Sequence, residues 1–246
     1  MKQSTNLTEL NDIGDHHSFM SNLRKVAVMN DTNGADCAWW SDYRSHSEQT
    51  KSQLTVTNFC QKDTVRVVHK RDNIETVEAD MSNTNYGPDS FDFIWAADCF
   101  QKSTNPIATL THWWSILKEN GMLVIGIPQS NYIDDLGRWQ VVNKPGEYFN
   151  WNLINLIQTL AVCGFDCRDG HFKMKQHQSM IWASVYKGEQ EPIDPTESTW
   201  YKLQELNLTP KTMDSSITKR GYPSWNDLKF NWLDGRLYDL AVETLP

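Results

Sequence analysis

Short apolar runs of strand length, spaced by helix-length segments, constrain this chain more than any other feature. Arg24–Met29 (RKVAVM), Phe91–Ala97 (FDFIWAA) and Met122–Ile127 (MLVIGI) are almost continuously apolar, as strands covered on both faces of a parallel sheet must be. Gln53–Phe59 (QLTVTNF) alternates and is rich in β-branched residues, and Asn73–Asp80 (NIETVEAD) reads as a further strand. Two more runs, His171–Lys175 and Met180–Lys187, are separated by so few residues that they can pair only as an antiparallel hairpin.

Helical patterns fill the intervals. The segment ADCAWWSDYRSHSEQ follows the turn Asn30-Asp31-Thr32-Asn33-Gly34, and residues 60–72 suit a short helix with Val65 and Val68 on one face. Asn105-Pro106 opens a helix in which Asn caps and Pro takes the first position. Ile107, Leu110, Trp113 or Trp114, and Leu117 should face the sheet, with Asn120-Gly121 as the stop. Trp151–Cys163 is a helix carrying Leu153, Ile154, Leu156, Ile157, Leu160 and Ala161, closed by Gly164. The alternation predicts a doubly wound, mostly parallel α/β sheet that ends in an antiparallel hairpin.

The expected organisation is a polar arm over 1–22, an α/β domain over 23–188 and an aromatic-rich extension over 189–246. Trp225, Leu228, Trp232, Leu233, Leu237 and Leu240 in that extension are too apolar to be left in water, so they pack on the domain or on a protein partner. With 39% hydrophobic and 22% charged residues the chain can build a core. A net charge of −8 argues against a surface that tracks phosphates, so no nucleic-acid partner is expected. The five cysteines, scattered and odd in number, predict reduced thiols and neither a disulfide framework nor a zinc site. No run reaches membrane-spanning length, and the first residues lack the apolar stretch of a signal peptide. The expectation is a cytoplasmic protein, or one built into a particle assembled inside the cell.

The stretch VEADMSNTNYGPDSFDFIWAADCFQKSTNPIATLTHWWSILKENGMLVIGIPQ resembles the central run of the class I S-adenosylmethionine-dependent methyltransferases. An acidic residue ends the third strand, a P-D-S-F-D turn leads into the fourth, and L-K-x-x-G precedes the fifth. Downstream, GEYFNWNLINLIQTLAVCGFD is similar to the family's next helix and its terminal G-F. The resemblance implies a seven-stranded sheet and S-adenosylmethionine as cofactor. It places Asp80 against the adenine amino group and Met81 beside the ring. Asn58 stands where the family usually has an acid for the ribose hydroxyls. Asp31 and Gly34 lie at the methionine end, and Asp98 lies near the meeting point of methyl donor and acceptor.

The chain departs from the family at the first turn, NDTNGAD, where Gly34 is the only glycine of an ordinarily glycine-rich loop. Asn30 and Asn33 tolerate positive φ better than most residues. Each site residue also has a plain structural reading. Asp80, Asn58 and Asp98 suit strand ends or caps, and His112 falls in mid-helix, where a structural role fits best. Tyr132, Trp139 and Tyr148 suit either a substrate pocket or aromatic core, and no histidine has metal-ligand spacing.

Two functions are implied by the resemblance and by the departures from it. One is methyl transfer to a small molecule. The other is a non-catalytic methyltransferase-like module used in assembly, such as a component of a virion or another large complex. The sparse glycines, Asn58 and the Trp-rich extension motivate the second.

Overall fold

The computed structural model describes residues 23–43, 54–60, 71–129, 131–133, 139–141, 149–175 and 180–210, with Leu10 and Glu147 as single positions. The expected arm over 1–22 apart from Leu10, most of the expected helix over 60–72, and Trp225 to Leu240 in the tail lie outside the described residues. So do Tyr148 and the side chains of Tyr132 and Trp139.

Strands β1 (Lys25–Met29), β2 (Thr55–Cys60), β3 (Ile74–Glu78), β4 (Phe91–Ala97), β5 (Leu117–Pro128), β8 (Phe165–Lys175) and β9 (Met180–Lys187) form one seven-stranded sheet in the order β3-β2-β1-β4-β5-β9-β8. β1 pairs in parallel with β2 and β4, β2 with β3, and β4 with β5, whereas β9 runs antiparallel to both β5 and β8. The expected mostly parallel sheet with a closing hairpin is the observed one. A separate two-stranded ribbon joins β6 (Asn131–Ile133) to β7 (Trp139–Val141).

The apolar runs form strands because both of their faces are covered. One face carries α2 (Pro106–Ile116) and α3 (Leu153–Val162) over Ala27, Met29, Ile94, Leu123 and Ile125. The other carries α1 (Ala35–Tyr43), whose Cys37 and Trp40 meet Val26, Val28, Val56, Phe93 and Trp95. The edge strand β3 is only half-buried, and Glu75 and Glu78 on it are exposed, which discourages pairing with another chain.

Two boundaries differ from the sequence expectation, both for non-local reasons. α2 ends at Ile116, before Asn120-Gly121, because its last carbonyls have partners from the turn ahead of β4. Asp89 N donates to Ser115 O and Ser90 N to Ile116 O, while Leu117 is already extended and pairs with Phe91. The left-handed residue nearby is Asn120, at φ 58°. β8 begins at Phe165, ahead of His171, and carries a register irregularity between Asp166 and His171. Helix α3 follows expectation closely: Asn152 and Asn155 make a reciprocal capping box, and Gly164 closes it at φ 87°.

Beyond β9, α4 (Trp200–Glu205) packs back on the domain. Trp200, Leu203 and Leu208 are buried in the α3-side core, and Ile193 N bonds Val162 O. No helix among the described residues is long and apolar enough to cross a membrane.

At the sheet centre the Trp95 and Trp182 rings stack at 5.4 Å. Gly126 makes room for them, since a Cβ there would stand 2.4 Å from the Trp182 ring. Gly126→Ala should therefore lower unfolding stability in urea by about 1–3 kcal/mol, the usual cost of overpacking. Adding Trp182→Leu should recover part of that loss.

Candidate functional site

The carboxyl ends of the parallel strands define the site. The chain leaves β1 toward β2 and β3 on one side, then returns to β4 on the other. The strand order therefore reverses between β1 and β4, and the turns that follow them flank the switch point at which open α/β sheets take their ligands in a crevice.

The turn after β1 is built by side chains as much as by glycine. Asn30 is left-handed at φ 58° and Gly34 at φ 76°, while Asn33 Oδ1 accepts from Ala35 N. The buried Asp31 carboxylate accepts from Gly34 N and Cys37 N, both at 2.8 Å. It thereby occupies the amino end of α1, where free N–H groups and the helix dipole favour an anion. From β2, Asn58 reaches across to the same residue: its Oδ1 accepts from Asp31 N at 3.2 Å and its Nδ2 donates to Asp31 O at 3.0 Å. Asn58 is 1% exposed, so the amide acts as a latch between β2 and the turn.

The neighbouring thiols are inert. Burial first and the Asp31 charge second raise the Cys37 thiol far above its ordinary range, and the same causes push Cys60 up to about 11. Among the described residues no cluster of His, Cys, Asp or Glu could hold a metal ion.

After β3, Asp80 is exposed, and its Oδ1 accepts from both the amide and the hydroxyl of Ser82 at 2.7 Å. Met81 is buried in the core, and its carbonyl accepts from Trp113 Nε1 at 2.8 Å. His112 on α2 fixes the same loop. Its Nε2 accepts from Thr84 N at 3.0 Å and lies 2.9 Å from Thr84 Oγ1. Because the amide can only donate, Nε2 carries no proton in this arrangement.

After β4, Asp98 adopts φ 52°, a strained conformation for a residue with a side chain. Its amide donates to Gly126 O on β5, and its exposed carboxylate accepts from Gln101 Nε2 at 2.7 Å. Gln101 belongs to the 3-10 turn Phe100–Lys102, which packs against β5.

Residues 35–125 match a family model described as a methyltransferase domain. The fold is that of the class I methyltransferases. An S-adenosylmethionine dependent methyltransferase from Mesorhizobium loti superposes with a TM-score of 0.54 at 12% identity, over 72% of this chain and 97% of that one. Haemonchus contortus phosphoethanolamine N-methyltransferase 2, in complex with S-adenosyl-L-methionine, gives 0.57 at 11% identity, over 75% and 52%. The CurJ carbon methyltransferase gives 0.52 at 11%, over 67% and 48%. The chain spans about half the length of the last two. No curated protein sequence matches it.

The methyltransferase fold brings Asp31, Gly34 and Asn58 into one bonded unit and sets Asp80, Met81 and Asp98 on the turns that flank it. Sequence reasoning missed Gln101 as the partner of Asp98, although the i,i+3 spacing after a strand end was a usable signal. It also missed the bonding of Asn58 to Asp31, for which only the strand register gives a signal. Of the positions that the resemblance assigns to S-adenosylmethionine, Asp80, expected at the adenine, fits best. Its exposed carboxylate has one oxygen engaged by Ser82 and a second left for a donor. Asn58, expected at the ribose hydroxyls, is committed to the fold.

His112 generates a pH prediction. Burial lowers its pKa below 6.5, against a smaller opposing pull from Asp80. The neutral form is the one that folds, so its contribution is complete above the unfolded value of about 6.5 and is lost as pH falls through the lower folded value. Denaturant midpoints between pH 7.5 and 5 should fall less steeply for His112→Leu than for the parent. Separately, Asn58→Ala should cost about 1–3 kcal/mol by orphaning two groups of the Asp31 main chain.

Proposed function

We propose that this domain binds S-adenosylmethionine across the carboxyl ends of β1 to β4 and transfers a methyl group to a small molecule in the cytoplasm. The switch-point crevice carries the reading, flanked by the Asp31–Gly34 turn on one side and by strained, exposed Asp98 on the other. The cofactor, when bound, supplies an electrophilic sulfonium methyl.

The residues of the chain supply placement. Asp80 accepts the adenine amino group, and Met81 packs beside the ring. Gly34 offers backbone without a side chain, and the Asp31 carboxylate sets a negative potential at the methionine end. Asp98, steadied by Gln101, accepts a hydrogen bond from the methyl acceptor. Such a displacement depends on holding two reactants in line more than on a strong base.

Calorimetric titration with S-adenosylmethionine and S-adenosylhomocysteine tests the proposal. Micromolar binding is expected, with Asp80→Ala weakening it at least about tenfold, the order of one lost charge-assisted bond. No heat at millimolar cofactor would overturn it. That outcome would favour the assembly module, with residues 191–246 as the element that docks a protein partner.

A further inference from the structure

Two neighbouring side chains of α2 hold the loop that follows β3. Trp113 Nε1 donates to Met81 O at 2.8 Å, while His112 Nε2 accepts from Thr84 N at 3.0 Å and lies 2.9 Å from Thr84 Oγ1. Between these holds the loop closes on itself, with Asn83 N donating to Asp80 O at 2.9 Å. The two holds differ in one respect. An indole N–H keeps its bond at any ordinary pH, whereas an imidazole nitrogen accepts from an amide only while it carries no proton. Thr84 is 1% exposed, so water is a poor replacement for the imidazole as partner of its amide.

From these bonds we infer that His112 is a positioning residue for the cofactor: its neutral imidazole holds the loop that presents Asp80 and Met81 to the adenine, and protonation releases that loop, so binding weakens in acid. The inference rests on the proposed adenine contacts of Asp80 and Met81. Burial already disfavours the charged imidazole, and the charge that opposes burial is that of Asp80, on the loop itself. The other ionisable groups around α2 are engaged or turned to solvent. Helix α3, which packs on α2, carries none, and the Cys163 thiol at its end bonds Ile107 O and is kept protonated by burial. Lys118 pairs with Asp92 and Lys187 with Asp89, while Glu75, Glu78 and Glu119 are exposed.

The full chain would be titrated with S-adenosylhomocysteine by calorimetry between pH 7.5 and 5. Affinity in the parent should fall at least about fivefold as pH drops through the His112 transition, the lower end of coupling between linked sites. His112→Leu should bind about as weakly at pH 7.5 as the parent does in acid, without that transition. His112→Gln, whose amide oxygen can accept from Thr84 N but does not titrate, should recover the lost affinity and also lack the transition. Titration of the ligand or of carboxylates appears in all three chains, so the difference isolates His112.

Parallel pH profiles in the parent and His112→Gln, or parent-like affinity in His112→Leu, would overturn the inference and leave the methyltransferase reading standing. A second readout needs no cofactor: hydrogen-exchange protection of the Thr84 amide should drop in the parent over the same pH range and persist in His112→Gln. If S-adenosylhomocysteine does not bind at any pH, the methyltransferase reading fails and takes the cofactor role of His112 with it. The Thr84 amide then still decides the loop latch, which pH-dependent protection upholds and constant protection overturns.

Discussion

The bonding of Asp31 is the constraint on which the site end of this molecule depends. A turn with a single glycine cannot rely on bare backbone to follow a tight path, so side chains impose the path instead. The Asp31 carboxylate takes two N–H groups at the start of α1, and the Asn58 amide takes the N–H and the carbonyl of Asp31 itself. Burying a carboxylate is costly, but here the charge meets two amides and the positive end of a helix, which offset the cost. One residue thereby ties β1, α1 and β2 together at the edge where the crevice opens.

The opposite end of the sheet is pinned in a comparable way. Asp92 at the start of β4 accepts from Arg24 N, Lys25 N and Lys118 Nζ at 2.9, 2.7 and 2.6 Å. Burial acts to raise its pKa, yet these bonds outweigh that effect and hold the carboxyl below its ordinary range. β1, β4 and β5 are thereby held together at their amino ends, opposite the carboxyl ends where the proposed site lies. There the backbone is strained at Asn30 and Asp98, on the turns that follow neighbouring strands. Both carry short polar side chains, which bear left-handed backbone at less cost than bulkier residues do.

Much of this was legible in the sequence, and the parts that were not share a cause. FDFIWAA could be read to its last residue because a strand buried on both faces needs no partner to be recognised. Asn105-Pro106 announced α2 because a cap is a local device, and Asn105 Oδ1 does accept from Ala108 N. The end of α2 was not legible: Lys118 to Gly121 look helical and well stopped, but the pairing of Leu117 with Phe91 and the amides of Asp89 and Ser90 decide the matter from a distance. The early part of β8 was hidden because Asp166, Arg168 and Asp169 obscure any alternation. At the site, the positions were readable and the bonding was not. Asn58 looked like a weakened ribose contact. Only the parallel register, with Val28 opposite Asn58 and Met29 opposite Phe59, brings it against the main chain of Asp31.

The same bonding bears on which ligands suit the crevice. In a glycine-rich turn the free amides of the loop and the helix start would attract anions. Here Asp31 uses the amides of Gly34 and Cys37, and Asp36 nearby accepts from Trp95 Nε1. The exposed groups that remain at the strand ends include the carboxylates of Asp80 and Asp98. Such an edge is electrostatically matched to cations and to donor-rich molecules, and poorly matched to phosphates. The sulfonium, ammonium and adenine amino groups of the proposed cofactor suit such an edge. A first turn with one glycine is thus compatible with the proposed cofactor: an internal carboxylate takes amides that would otherwise attract anions, and the complementarity of the strand ends moves toward positive charge.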